Sequence, residues 1–112
     1  MGVVKLTVRN TGWWVFRDVL RDRRSFSTGG SLRGVNGRSS GGLGKLPAEY
    51  HRSVDDATYV VFSYRTPIAW RNGDGSWSVP EVKYSATTSQ QQSKIGVACA
   101  ELNREREAVS NV

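Results

Sequence analysis

From Thr58 to Tyr64 the chain reads Thr-Tyr-Val-Val-Phe-Ser-Tyr, a run almost wholly β-branched or aromatic. A strand with one wet face alternates apolar and polar side chains, whereas an unbroken run of this kind suits a central strand covered on both faces. Any fold for this sequence must therefore be arranged around a sheet. The chain has 112 residues, 38% hydrophobic and 23% charged, the size of one small domain.

The flanking segments supply partners. Pro67 restricts Thr66 to Arg71 to an edge strand or the start of a strand. Asn72-Gly73-Asp74-Gly75 is turn chemistry, and Trp77 to Val79 follows as a hairpin partner. Trp70 and Trp77 are placed to pair across that hairpin. Val82, Tyr84 and Ala86 alternate with Lys83 and Ser85 as a further short strand, and Val4, Leu6 and Val8 alternate likewise near the start. Trp13, Phe16, Val19 and Leu20 recur at helical spacing, predicting a helix near 13–23 capped by Asn10 or Thr11. Thr88-Ser89-Gln90-Gln91 matches a capping box, and Ile95, Ala98, Cys99 and Leu102 form an apolar stripe. A second helix is expected at 89–101, with Gly96 weakening its middle. Cys99, on that stripe, reads as a small core residue with no basic neighbour to activate it. The fold class expected is α+β: a small antiparallel sheet of three to four strands, from about 59 to 86 and joined by a strand at 3–9, with two helices packed on one face.

Seven of the twelve glycines lie between Ser27 and Pro47, mixed with Ser and basic residues. Glycine loses much backbone entropy on ordering and offers no side chain to offset it, so residues 27–46 are expected to form a mobile basic loop. The expected organisation is a single domain over 1–104 with 105–112 as a frayed tail. Gly44-Lys45 is not the end of a Walker motif, because Ser39 and Leu46 stand where Gly and Ser or Thr belong. After Pro47, residues 46–54 are expected to form one or two helical turns. His51 lies there without a second ligand nearby and reads as a surface or packing residue. One His, one Cys and no repeated carboxylate spacing assemble no catalytic set, metal cluster or cofactor motif. A non-enzymatic protein without metal or cofactor is expected. The longest apolar runs, Trp13 to Phe16 and Tyr59 to Phe62, are four residues, against roughly 20 needed to span a bilayer. No membrane partner and no secretory signal are expected.

Sixteen Lys and Arg against ten Asp and Glu give a net charge of +6 and a pI near 10.0, which favours acidic partners. The excess sits in residues 1–52, with ten basic and three acidic side chains. Arg21, Arg23, Arg24, Arg33, Arg38 and Lys45 are the candidate contacts there. Arg21, Arg23 and Arg24 equally suit the negative pole of the first helix. Thr87, Thr88 and Ser89 place hydroxyls and free amides at a predicted helix N-terminus, where they serve either as caps or as an anion site, with Arg65, Arg71, Lys83 and Lys94 to supply charge. Tyr64, Trp70 and Trp77 are available for stacking if exposed. Buried Trp70 and Trp77 would mean scaffold, whereas exposed rings beside Arg65 and Arg71 would mean a contact surface.

The run Ser63-Tyr64-Arg65-Thr66-Pro67-Ile68-Ala69-Trp70, then Trp77 and Pro80, then Tyr84-Ser85-Ala86-Thr87-Thr88-Ser89, resembles a family of small proteins encoded by mycobacteriophages and related actinobacterial phages. Gly30-Ser31-Leu32-Arg33-Gly34 and Gly44-Lys45-Leu46-Pro47 look like the same family, so the likeness spans about residues 25–95. Members often follow Thr-Thr-Ser with a basic residue or two and His-Gln; here Ser89-Gln90-Gln91-Gln92 lacks the His. The resemblance implies a phage gene product acting in the host bacterial cytoplasm, and implies no activity. Two function classes follow. The first is an interaction protein that binds a host protein, in keeping with the tryptophan content. The second is a basic nucleic-acid-binding regulator that contacts phosphates through Arg and Lys and an aromatic hairpin. A homo-oligomer joined along the Thr66 to Arg71 edge is compatible with either.

Overall fold

A computed structural model describes residues 3–37, 43–82 and 86–110. The fold is α+β, with a six-stranded mixed sheet whose strands lie side by side in chain order. These are β1 (Val4–Lys5), β2 (Phe26–Ser27), β3 (Leu32–Asn36), β4 (Tyr59–Ser63), β5 (Thr66–Arg71) and β6 (Trp77–Ser78). The helices are α1 (Trp13–Arg21), α2 (His51–Asp55), which continues a 3-10 turn at Ala48–Tyr50, and α3 (Ala86–Ser110). Among the described residues no helix is long and apolar enough to cross a membrane.

All five residues of β4 are buried, as its unbroken apolar run requires. Successive side chains of a strand point to opposite faces, so the neighbours Val60 and Val61, both fully buried, need cover on both sides. On one side Tyr59 and Val61 join Phe16, Leu20, Phe26, Ile95 and Leu102 in the larger core, beneath α1 and α3. On the other, Val60, Phe62 and Trp70 pack against Leu46, Val54 and Ala57 from the segment around α2. The two expected helices thus share one face, and a third covers the other. Each fully buried large apolar side chain contributes about 1.5–3 kcal/mol, so this two-sided burial dominates the fold.

The helix ends follow local chemistry. The stripe Ile95, Ala98, Cys99 and Leu102 is buried as predicted. The N-cap of α1 is Gly12, without a side-chain cap, rather than Asn10 or Thr11. At its other end the amides of Arg23 and Arg24 donate to the carbonyls of Leu20 and Val19, a Schellman closure with Arg23 at φ 53°.

Several expectations are corrected. The sheet has six strands rather than three or four, and it is not wholly antiparallel, because β1 pairs parallel to β2. The helix between them returns the chain in the same direction, which a tight turn cannot do. The N-terminal strand is two residues rather than seven. The expected loop at 27–46 contains β3, paired with β4 from Leu32↔Ser63 to Asn36↔Tyr59. Leu32 is buried in the core, and Gly34 is glycine because the Phe26 ring and the Tyr59 hydroxyl occupy the space where a Cβ would lie. Helix α3 begins at Ala86, inside the expected fourth strand, and continues through residues expected to fray. Glu105 pairs with Arg21, and Arg106 with Asp74, which ties that last stretch to α1 and to the β5–β6 turn. The rest of the expected strand, residues 83–85, lies outside the described residues.

Trp70 and Trp77 do not pair. The β5–β6 register sets Trp70 against Ser78 and Arg71 against Trp77, so the indoles occupy opposite faces. Trp70 meets Tyr50 edge to face, and Trp77 meets Tyr59. The Trp70 and Arg71 end of the expected edge strand is taken by β6. Beyond β6, the Asn103 amide accepts from the Trp77 N–H at 2.8 Å and donates to the Trp77 carbonyl at 3.0 Å, standing in for a further strand.

Substitution of Gly34 by Ala is expected to destabilise the protein by about 1–3 kcal/mol through overpacking, seen as a lowered Tm. Gly96, whose Cβ position meets nothing within 4 Å, should behave oppositely: Gly96→Ala is expected to stabilise by about 1 kcal/mol in the same thermal melt.

Candidate functional site

At the Ser63 end of β4 three segments converge on one open depression of about 780 Å³. Gly30, Ser31 and Arg33 come from the turn before β3 and from β3 itself, Gly44 and Lys45 from the approach to the 3-10 turn, and Tyr64, Arg65 and Thr66 from the β4–β5 hairpin. Arg33, Lys45 and Arg65 are exposed, and among the described residues none of them has an acidic partner. Among the described residues no carboxylate lines the depression.

The Arg33 guanidinium lies 4.3 Å from the centroid of the Phe62 ring, capping the buried aromatic while its outer face stays wet. Gly44, at φ 52°, runs so close to β5 that a Cβ would strike Thr66 and the Arg65 carbonyl; only glycine allows this approach. It lets the Lys45 amide donate to Thr66 Oγ1 at 3.0 Å, which seats Lys45 beside Arg65.

Tyr64 is the first residue of the two-residue turn between Ser63 and Thr66, and it sits at φ 57°. A left-handed backbone is costly for a bulky side chain, and turns of this kind prefer Gly, Asn or Asp. The residue is nevertheless 62% exposed, so packing does little to offset the strain. The conformation is held by the Tyr64 N–H, which donates to the Ser31 carbonyl at 2.7 Å. Beneath it the buried Gln91 side chain bridges Ser31 and Ser63, accepting from the Ser63 hydroxyl and donating to that of Ser31. Gln91 is therefore not the capping-box partner expected from its spacing. Because α3 starts three residues earlier than predicted, the side chain points from within the helix into the sheet.

The other predicted site residues are dispersed. Trp70 is 1% exposed and Trp77 8%, so both indoles belong to the scaffold and offer no face for stacking. The Trp70 Nε1 donates to Ser53 Oγ at 2.7 Å. Arg21 is spent on Asp18 and Glu105, and Arg71 donates to Thr58 Oγ1. The Lys94 ammonium donates to the carbonyls of Val8 and Thr11, clamping the start of the chain onto α3. Arg23 and Arg24 are exposed near the Tyr59 end of β4, where the Tyr59 hydroxyl donates to the Arg24 carbonyl at 2.6 Å; the depression lies at the other end. Thr87, Thr88 and Ser89 lie in the first turn of α3, with Ser89 exposed. Arg38 and Lys83, and the side chains of Thr87 and Thr88, fall outside the described residues. A single face shared by the first-half arginines and the indoles is thus not formed. Arg33, Lys45 and Arg65 are brought together, and Tyr64, named only for stacking, joins them.

His51 Nε2 donates to the Leu46 carbonyl at 2.7 Å, the packing role its isolation suggested. Cys99 is fully buried, and burial pushes its thiol well above the ordinary range. Among the described residues no group of His, Cys, Asp or Glu is placed to hold a metal ion.

The geometry defines an α+β domain with one basic, aromatic-rimmed depression. The chain belongs to a family of unknown function, DUF8033, whose model matches residues 16–108. No curated protein and no solved structure matches it.

Gln91→Ala is expected to cost about 1–3 kcal/mol, because it removes the two side-chain hydrogen bonds that tie the buried Ser63 and half-buried Ser31 hydroxyls to α3. Denaturant unfolding measures this cost, and faster amide exchange at Tyr64 should accompany it.

Proposed function

We propose that this chain is a non-enzymatic binding protein that holds an acidic macromolecule of its host cell in the Arg33, Lys45 and Arg65 depression. One observation carries the reading: three cations without acidic partners among the described residues, delivered by three separate segments, line one concavity. Charges on a merely solubilising surface need no such convergence. The segments that meet there, Gly30 to Gly34, Gly44 to Pro47 and Ser63 to Trp70, are also those that carry the likeness to phage proteins, which supports a partner in the bacterial cytoplasm. An acidic face of a host protein and a nucleic acid both satisfy the charge requirement. Burial of Trp70 and Trp77 removes two of the four indoles that favoured a protein interface of the aromatic-anchored kind, and Trp14, which stays exposed on α1, does not line the depression.

The test keeps net charge constant. Arg33→Glu, Lys45→Glu and Arg65→Glu together should lower the salt concentration at which the protein leaves a heparin column much more than Arg9→Glu, Arg23→Glu and Arg24→Glu together. The second set is equally exposed and lies away from the depression. Equal shifts for the two sets would mean that the column reads overall charge and that the depression is not a site.

A further inference from the structure

We propose that the occupant of the depression is a single-stranded nucleic acid, with a base stacked on the Tyr64 ring and backbone phosphates held by Arg33, Lys45 and Arg65. This rests on the reading above that the depression is a binding site. Three features of the structure separate this ligand from other polyanions.

The first is the strained aromatic. A tyrosine held in the left-handed region at φ 57° and largely exposed contributes little to folding that glycine would not do better. Strain that survives at an exposed tip, pinned by a 2.7 Å hydrogen bond to Ser31 and underpinned by Gln91, presents a rigid flat face beside three cations. Every base has a π-face, so a fixed aromatic platform beside positive charge is the arrangement that binds single strands with little regard to sequence.

The second is the second flat face. The Arg33 guanidinium already lies over Phe62, and its outer side is open to receive a base or a phosphate in the same plane. Gly30, Ser31 and Gly44 complete the lining with almost no side-chain bulk, so a sugar-phosphate backbone can come close to the main chain. The volume of about 780 Å³ falls within the roughly 300–1,000 Å³ of small-ligand sites, room for a nucleotide.

The third is what the fold withholds from a duplex. Helices α1 and α3 pack on the face of the sheet opposite the Arg33 and Phe62 side, and their apolar stripes are buried there. On the Arg33 and Phe62 side α2 has only five residues and contributes none of the lining, so the described residues offer no long helix there to a major groove.

The experiment measures fluorescence anisotropy of a short labelled oligothymidylate with the full chain across a range of salt. Three phosphate contacts predict a slope of log affinity against log salt near about −2, or roughly a twenty-fold loss between about 50 and 200 mM salt. Arg33→Gln should reduce the slope by about 0.7. Tyr64→Phe should bind like the parent, whereas Tyr64→Gly should bind about 5- to 150-fold more weakly, the loss expected for one stacked base. Because glycine relieves the backbone strain, Tyr64→Gly should also melt at a higher temperature, so weakened binding cannot be ascribed to unfolding. Unchanged affinity in Tyr64→Gly, or preference for a duplex of the same length, would overturn the proposal. Polyglutamate separates the two readings. If it binds through Arg33, Lys45 and Arg65 while oligothymidylate does not, the depression remains an acidic-partner site and the nucleic-acid inference fails. If neither binds, both fail.

Discussion

Burial of β4 on both faces is the constraint from which the rest of the structure follows. Val60 and Val61 are adjacent and neither touches water, which a strand permits only when separate layers cover its two sides. One layer is built from α1 and α3, whose apolar stripes meet over Tyr59 and Val61. The other is the short segment around α2, which reaches Val60, Phe62 and Trp70. Both edges of β4 must also be filled, and this draws a glycine-bearing segment into the sheet as β3.

The depression stands where the second layer thins. Over Phe62 the covering group is the Arg33 guanidinium, which shields the ring while keeping its charge in water. The same hairpin turn that ends β4 lifts Tyr64 out of the core, and the close passage of Gly44 brings Lys45 alongside. Scaffold and candidate site therefore share residues: Ser31, Ser63 and Gln91 join α3 to the sheet and also fix the platform.

Net charge alone hides a division of labour among the basic side chains. Lys94 closes the start of the chain onto α3, Arg21 and Arg106 fasten the end of α3, and Arg71 ties to Thr58 at the start of β4. These find partners within the chain. Among the described residues Arg33, Lys45 and Arg65 have no acidic partner, and their charge faces one concavity. Counting cations in the first half of the sequence could not separate the two kinds, because partners such as Glu105 are supplied from more than eighty residues away.

Local chemistry in the sequence determined the central strand, the Asn72 to Gly75 turn, the α1 and α3 stripes and the core role of Cys99, because each depends on neighbours within a turn or on simple periodicity. Tertiary structure alone decided that Leu32 to Asn36 becomes a strand, since pairing with β4 and the fit of Gly34 beneath Phe26 and Tyr59 outweigh its weak local propensity. It also decided that Trp70 and Trp77 face opposite ways, because a one-residue register offset in β5–β6 reverses a side chain. The site was legible only in pieces: Arg33, Lys45 and Arg65 stood among many equivalent cations. Their meeting beside an exposed Tyr64 depends on contacts between segments tens of residues apart, which no local pattern encodes.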